Sequence, residues 1–312
     1  MLSRVAENLY WIGRYVERAE NIARLLDAGF EHELDDADGN DAEAGPVESV
    51  LAVLACRDAF RRRHGDAGRE AVLRFLTFDR RNSHSILAMI ARARENARGT
   101  QEALSAEAWS QINQLYLYMS GPRARRRFES SPAGFFGGVK RACVLFDGLL
   151  DSTLPRTEAY QFLRLGRHLE RLNQLGRLLG VRAQASGSAD PARPVAWTSI
   201  LQSCSAYDAY LRQFQDRIDP EGVVHYLVLD ADFPRSMRFC VDRCRESLRE
   251  INGGAGDDYG SEAERQLGRL DSELRYIDVA EILDRGLGRF LAGVLEASHR
   301  VGDEIHQEYF LI

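Results

Sequence analysis

The sequence predicts an all-α protein, a helical bundle built from two tandemly duplicated helical units with pseudo-twofold symmetry. The first observation is a long amphipathic helix near the N-terminus, whose apolar or small residues alternate in steps of three and four from Leu2 to Phe30. The second is the polar group Gly-Arg-x-x-Glu-Arg, which begins at Gly13 and returns 153 positions later at Gly166. The third is a run of further matches at nearly the same offset.

These matches indicate a single domain over residues 1–312 with internal repeat units of approximately 1–134 and 150–312. An amphipathic helix accounts for a repeated apolar seam, but it does not account for the same charged residues returning at the same places. The matched charges beyond the long helix are Arg92, Arg94, Glu95 and Arg98 in the first half and Arg243, Arg245, Glu246 and Arg249 in the second.

The first half reads as a series of helices after an acidic loop. The loop covers Glu31 to Pro46, and a helix over Val50–Arg63 follows until glycines break it. The apolar run Val72–Phe78 is too short to assign to helix or strand by its period. Ser83 or Ser85 is a suitable N-cap for a helix that starts near Ile86.

A further helix over 102–119 is expected to stop at Gly121-Pro122. The basic run Arg123–Arg127 is interpreted as a solvated loop; the alternative is a phosphate or nucleic-acid patch, which lacks interleaved aromatic residues for base stacking. A helix over Phe135–Leu150 then leads into the second half. Two more loops are expected, at Ala183–Pro194, which is rich in serine, glycine and proline, and at Asn252–Ser261, which is rich in glycine.

Composition and charge exclude several classes of protein. The net charge is −6, which argues against a general nucleic-acid binder. The longest apolar run, Val50 to Cys56, covers seven residues and is too short for a transmembrane helix. With no leader pattern at the N-terminus, we expect a cytoplasmic protein. The five cysteines include no Cys-x-x-Cys pair, so we expect them to be reduced and partly buried.

The candidate binding residues are the charged rows that recur in both halves. Buried carboxylates must be paired, so Glu17 and Glu170 are expected to meet arginines of a facing helix. The proposed partners are Arg94, Arg98, Arg245 and Arg249. The full set of candidates is Arg14, Glu17, Arg18, Arg94, Glu95, Arg98, Arg167, Glu170, Arg171, Arg245, Glu246 and Arg249.

No metal or cofactor is expected. Glu296, His299, Asp303 and His306 have the spacing of helical metal ligands, but a di-metal bundle needs a second Glu-x-x-His on another helix, and none is found. The apolar face of their helix points the other way, so these side chains are predicted to face solvent. His168 is interpreted as a packing residue, with proton transfer as the alternative.

The opening stretch Met1 to Asn21 resembles the alpha-E domain family of bacteria, an all-helical family named for a Glu-Arg motif. That motif stands here as Glu17-Arg18 and again as Glu170-Arg171. The resemblance continues through Ala93–Arg98, through Ser203–Tyr207 and through a segment that contains Phe233-Pro234-Arg235-Ser236. It covers nearly the whole chain.

The resemblance implies a context rather than a reaction. Members of the family are typically encoded beside or fused to circularly permuted ATP-grasp proteins and transglutaminase-like proteins, so the implied role is in ATP-dependent formation or modification of amide or peptide bonds. The leading hypothesis is a non-catalytic or co-catalytic partner of an ATP-grasp-type ligase, which binds a carboxylate or peptide substrate through the Glu/Arg rows. We expect no nucleic-acid or membrane partner.

Two alternatives stay open. In the first alternative, the protein is itself an enzyme that uses Glu17 or Glu170 in acid–base chemistry, although a carboxylate held among arginines is a poor base near neutrality. In the other alternative it is a purely structural scaffold, whose charged rows are buried and adjoin no cavity.

Overall fold

The computed structural model describes residues 1–35, 46–65, 68–185, 194–215, 217–254 and 259–311. The described residues form helices and no strand, which confirms the all-α prediction. The α-helices are α1 (Ser3–Asp35), α2 (Pro46–Val53), α3 (Arg57–His64), α4 (Arg69–Thr77), α5 (Ile86–Arg98), α6 (Ala106–Ser120), α7 (Pro122–Ser130), α8 (Pro132–Thr153), α9 (Glu158–Ala185), α10 (Pro194–Ser203), α11 (Tyr207–Phe214), α12 (Pro220–Val224), α13 (Met237–Ile251), α14 (Glu262–Tyr276), α15 (Val279–Arg285) and α16 (Leu287–Ile305).

The chain separates into two compact units. Unit 1 holds residues 1–14 and 156–312, and unit 2 holds residues 15–155. The single domain over residues 1–312 and the repeat bounds inferred from the sequence stay predictions. None of the helices in the described part of the chain combines the length and the hydropathy that a membrane span requires.

Unit 2 is built around α5, α6, α7 and α8. α6 lies against α5 and α8, and α7 packs on α8. The packing centre is an aromatic cluster of Phe78, Phe128, Phe135 and Phe136, in which neighbouring ring centroids lie 5.3–6.0 Å apart. The inward residues of α5, which recur at helical spacing as Ile86, Met89, Ile90, Ala93 and Ala97, are buried.

Unit 1 is built around α9, which packs against α13 on one side and α16 on another. The apolar seam of α9, which includes Leu165, Leu169 and Leu172, is fully buried. The chain end returns to this core, because Phe310 packs against Tyr10 with ring centroids 5.4 Å apart. Burial of this seam removes apolar surface from water and is the main stabilising contribution to the unit.

The structure corrects one helix prediction, assigns a run that the sequence left undecided and confirms a helix cap. The predicted helix over 50–63 is two helices, because Ala55 adopts a positive φ of 51° that ends α2, and Cys56 then caps α3. The undecided run 72–78 lies in α4 and its C-cap. The cap at Ser85 is confirmed, since its side chain accepts a hydrogen bond from the Ala88 amide.

The basic run Arg123–Arg127 lies in α7 and is not a loop. Pro122 occupies the first turn of α7, where its fixed φ favours a helix and its missing N–H costs nothing. Residues 31–35 and 183–185, expected in loops, extend α1 and α9. The rest of those two predicted loops, residues 36–45 and 186–193, lies outside the described residues, as does 255–258 of the third.

Candidate functional site

The N-terminal part of α1 meets α9 at two glycines of the repeated motif. A Cβ atom on Gly13 would stand 2.2 Å from the carbonyl oxygen of Leu163, and one on Gly166 would stand 2.0 Å from the carbonyl oxygen of Tyr10. Any side chain at either position would therefore collide with main-chain atoms of the other helix. Glycine is required here because only a residue without Cβ permits this close approach.

An ion pair spans this crossing. Arg14 Nε donates to Glu170 Oε2 at 2.9 Å, and Gln174 donates to Glu170 Oε1 at 2.7 Å. Glu170 is only 1% exposed. Arg14 also donates to the hydroxyl of Tyr10 at 2.9 Å and lies over the Trp11 ring. The close approach of the two backbones thus brings an arginine of one helix onto a buried carboxylate of the other.

The electrostatics around Arg14 favour its charged form. Burial lowers the pKa of the Arg14 guanidinium, but Tyr10 and Glu170 outweigh burial and raise this pKa above its usual value. Burial raises the pKa of Tyr10, and the charge of Arg14 offsets part of that rise. At neutral pH the site therefore holds a charged arginine, a carboxylate that balances it and a neutral phenol.

His299 on α16 lies beside the same site. Desolvation is the main cause that lowers the pKa of His299, and the positive charges of Arg177 and Arg14 lower this pKa further. The negative charges of Asp303 and Glu170 raise it. The side chain of His299 is exposed. Its electrostatic interaction with Arg14 and Glu170 therefore links this buried ion pair to groups at the solvent-exposed edge of unit 1.

A second acidic site lies in unit 2. Glu17 and Glu20 of α1 and Asp147 of α8 bring carboxylate oxygens within 4.8 Å of one another. Glu17 and Glu20 are each 1% exposed, and Arg24 Nε donates to Glu20 at 2.8 Å. Carboxylates at this spacing suit hard cations. They also occur with arginine counter-ions, and Arg24 is one, so we assign no metal to these residues.

The thiol of Cys143 lies beside these carboxylates. Burial raises its pKa well above the usual value, and Glu20, Asp147 and Glu17 add to the rise. A neutral, buried thiol of this kind is a packing group and not a nucleophile. The five cysteines are free and buried.

Comparison with known families identifies the family of this chain. A family model described as a predicted alpha-helical domain with a conserved ER motif matches residues 1–310. This chain belongs to the Alpha-E family. The family expected from the opening helix is therefore confirmed. Glu17-Arg18 and Glu170-Arg171 stay the predicted positions of its ER motif.

Similar proteins occur in mycobacteria. An uncharacterized protein of Mycobacterium bovis is 25% identical over 319 residues, and an uncharacterized protein of Mycobacterium tuberculosis is 24% identical over 319 residues. Each match covers 95% of this chain and 35% of the relative, so the chain spans about a third of the length of these relatives. No solved structure matches the chain.

The arginines proposed as partners of the two buried glutamates have other partners in the Alpha-E structure. Arg94 bonds to Glu95 and Asn113, and Arg98 bonds to Glu95. Arg245 bonds to Asp271 at 2.6 Å, and Arg249 lies 3.9 Å from Glu264. Glu246 pairs with Arg164 and Arg243. Glu170 instead pairs with Arg14, which was predicted as a candidate binding residue but not as this partner.

The remaining candidates, Arg18, Arg167 and Arg171, are half-buried. Arg171 donates to the main-chain carbonyl of Pro234 at 3.1 Å. Neighbours that the sequence reasoning did not include in the site are Tyr10, Gln174, Glu20, Arg24 and Asp147. Glu20 and Arg24 could have been found, because they continue the polar row of Glu17 on α1. Asp147 is far away in sequence, and no local pattern marks it.

The histidines occupy two contrasting environments. His299, His306, Glu296 and Asp303 are exposed on α16, as the helical pattern predicted. His168 is 4% exposed, and its Nδ1 has no hydrogen-bond partner among the described residues. Burial lowers the pKa of His168 well below its usual value, and four neighbouring arginines, led by Arg167, lower it further. His168 is therefore a neutral side chain of the core.

Proposed function

We propose that this Alpha-E chain is a non-catalytic or co-catalytic partner of an ATP-grasp-type amide or peptide ligase and binds a carboxylate-bearing or peptide substrate through its Glu/Arg rows. The observation that carries the proposal is the unequal exposure of the two motif glutamates and of two arginines in these rows. Glu17 and Glu170 are each 1% exposed, whereas the side chains of Arg98 and Arg249 are 62% and 50% exposed. A ligand carboxylate can reach these planar guanidinium groups without entering the core.

The buried glutamates serve this function as supports. Glu170 fixes the orientation of Arg14 through a charge-assisted hydrogen bond at the helix crossing. An arginine whose fork is already oriented loses less conformational entropy when a ligand binds. In this proposal the buried glutamates position arginines, and the exposed arginines bind the ligand.

The partners in this proposal are a circularly permuted ATP-grasp protein and a transglutaminase-like protein, acting in the cytoplasm on a peptide or amide product. The mycobacterial relatives contain the matching region within chains about three times as long. A region carried inside a longer chain can work beside another domain, and this supports a role beside a partner.

One observation favours the scaffold alternative. Glu17 and Glu170 are buried to the extent expected of structural ion pairs. The same burial argues against the acid–base alternative, because a general base must reach the proton that it abstracts.

We also propose that the two halves arose by duplication and that the α1/α9 crossing lies on a local twofold axis. Gly13 contacts residue 163, and Gly166 contacts residue 10. The repeat offset of 153 relates position 13 to 166 and position 10 to 163, so each contact is the counterpart of the other. Local features elsewhere support the duplication. Ala55 and Ser205 share the same positive φ of 51°. The Ser85 hydroxyl donates to the carbonyl of Asp79 as that of Ser236 does to the carbonyl of Asp230.

The test is a reconstituted ligase reaction with the ATP-grasp protein encoded beside this chain. We expect ligase turnover to rise when the Alpha-E chain is added. The double variant Arg98→Gln and Arg249→Gln should lose most of that stimulation and keep its unfolding midpoint. The matched control is the double variant Arg212→Gln and Arg289→Gln, which removes two other exposed arginines. If the ligase reaches its full rate and specificity without the Alpha-E chain, the proposal is wrong.

A further inference from the structure

Unit 2 has a strongly basic face that the Glu/Arg rows do not include. Residues 57–81 and 121–131 contain twelve arginines against five acidic residues, although the whole chain has 41 basic and 47 acidic residues. We call the arginines of these two segments the arginine surface. They are Arg57, Arg61, Arg62, Arg63, Arg69, Arg74, Arg80, Arg81, Arg123, Arg125, Arg126 and Arg127. They lie on α3, on α4, in the turn that follows α4 and on α7.

Contacts inside unit 2 join these elements into one continuous face. Arg63 of α3 pairs with Asp79 at 3.2 Å and donates to the carbonyl of Arg81 at 3.0 Å. Arg80 donates to the hydroxyl of Ser120 at 3.3 Å, immediately before α7. Arg125 of α7 lies over the Phe78 ring, with 5.2 Å to its centroid. The turn after α4 therefore lies between α3 and α7 and connects their arginines.

Much of this positive charge has no carboxylate to balance it. Arg61, Arg62, Arg123 and Arg126 are exposed and form no ion pair with the described residues. Arg74 differs, because it pairs with Glu70 at 2.9 Å and with Glu129 at 3.2 Å. Exposed like charges repel one another across a surface, so their accumulation costs stability and calls for a partner of opposite charge.

The fold itself does not require these arginines. By the repeat offset of about 150, residues 57–81 correspond to residues 207–232, which contain two arginines and six acidic residues. The corresponding segment nevertheless forms the helices α11 and α12. The positive charge is therefore a property of one half only, and a purely structural explanation would apply to both halves.

The chemistry of the surface selects among anionic partners. None of the exposed large hydrophobic residues lies within 57–81 or 121–131 of the described chain. Such residues are needed to stack single-stranded bases or to insert into a lipid surface. A long polyanion would extend onto the rest of the chain, which is strongly acidic. A short segment of carboxylates fits the arginine forks and avoids both difficulties.

We propose that the arginine surface binds an acidic, Asp- and Glu-rich segment of a partner protein. A cavity of about 370 Å³ between α4 and α7 adjoins the surface. Its lining includes the apolar residues Leu73, Phe128 and Pro132 and the carboxylates Glu70 and Glu129, both of which are paired with Arg74. It has room for one apolar side chain of the same segment. The inference does not depend on the proposed ligase function, because its test needs no ligase.

The test is fluorescence anisotropy at physiological salt with a labelled Glu-rich peptide that carries one central Phe. Its control is the same peptide with Gln in place of every Glu. Labelled oligouridylate, a labelled DNA duplex and phosphatidylglycerol vesicles are the competing probes. We expect the Glu-rich peptide to bind, the Gln peptide not to bind, and the other three probes to bind more weakly.

The decisive variant is Arg61→Gln/Arg62→Gln/Arg126→Gln. It should weaken peptide binding about ten-fold, as expected from the loss of three exposed ion pairs. The matched control, Arg212→Gln/Arg269→Gln/Arg289→Gln, removes the same charge from exposed arginines of unit 1 and should leave the affinity nearly unchanged. Unfolding midpoints of both variants check their folding, and single Arg126→Gln replaces the triple variant if its midpoint falls.

Three outcomes would overturn the proposal. In the first, the Glu-rich peptide does not bind. In the second, the two triple variants weaken binding equally, which would make the effect one of net charge. In the third, a nucleic acid or the vesicles bind more tightly than the peptide and lose affinity in the Arg61/Arg62/Arg126 variant, which would assign the surface to that other class of partner.

Discussion

The site around Glu170 in unit 1 and the site around Glu17 in unit 2 come from the same Gly-Arg-x-x-Glu-Arg motif but have different neighbours. Glu170 pairs with Arg14 and accepts from Gln174. Glu17 lies within 4.8 Å of two further carboxylates, and the position that holds Glu20 in the first half holds Asn173 in the second. A repeated motif thus fixes where a carboxylate is buried, whereas residues outside the motif decide the charge that surrounds it.

The largest effect expected is on the glycine crossing of unit 1. Gly166→Ala should lower the free energy of unfolding by at least about 3 kcal/mol, because its Cβ would overlap a main-chain carbonyl that cannot move as a side chain can. Gly180→Ala on the same helix is the matched control, since nothing lies within 4 Å of its Cβ, and it should stabilise the helix by about 0.5–1 kcal/mol. Urea unfolding measures both. Equal effects would mean that the close crossing is not formed.

A smaller effect should separate the two carboxylate sites. Glu170→Gln leaves the buried charge of Arg14 without its carboxylate and should cost about 2 kcal/mol. Glu20→Gln should change the stability by less than about 0.5 kcal/mol, because the loss of its ion pair with Arg24 is offset by weaker repulsion from Glu17 and Asp147. Losses of equal size in urea unfolding would contradict the difference between the sites described here.

The smallest effect concerns the residue that directly follows the arginine of the motif, which is Tyr15 in unit 2 and His168 in unit 1. The folded protein holds His168 neutral because its pKa is lowered by burial and by Arg164, Arg167, Arg171 and Arg243. The unfolded chain takes up a proton below about pH 6.5, so folding stability is complete above that pH and falls as the pH decreases.

The measurement for His168 is the free energy of unfolding between pH 6.5 and 5.5. The natural chain should lose about 1 kcal/mol more than His168→Gln over that interval. His306→Gln, which changes an exposed histidine of the same unit, should retain the loss of the natural chain. If His168→Gln is as sensitive to acid as the natural chain, another group is responsible.

Much of the helical structure could be read from local patterns. The seam of α1, the cap at Ser85 and the inward residues of α5 follow from the periods and capping rules of a single helix. The patterns failed where one residue changed the backbone direction. Ala55 divides a continuous apolar pattern by taking a positive φ, and no rule of composition marks an alanine for that role.

The candidate site was predictable in its residue types and less so in its pairings. Glu170 was expected to be paired with an arginine, and it is, but with Arg14 rather than with an arginine of α5 or α13. Arg94 and Arg245 have the right charge and helical position, yet they bond to Glu95 and Asp271. A charge pattern along one helix defines its own rows, but it does not define the distance to another helix.

The sequence by itself determined the helical class, the membership of the Alpha-E family and the places where charged residues recur. These depend on periodicity and on motif, which are local properties of a chain. The tertiary structure alone decided that Gly13 and Gly166 permit two backbones to touch, that Arg14 is the partner of Glu170 and that Asp147 joins Glu17 and Glu20. The physical reason is that helical patterns specify which residues share a face, whereas the packing of apolar seams selects which faces meet.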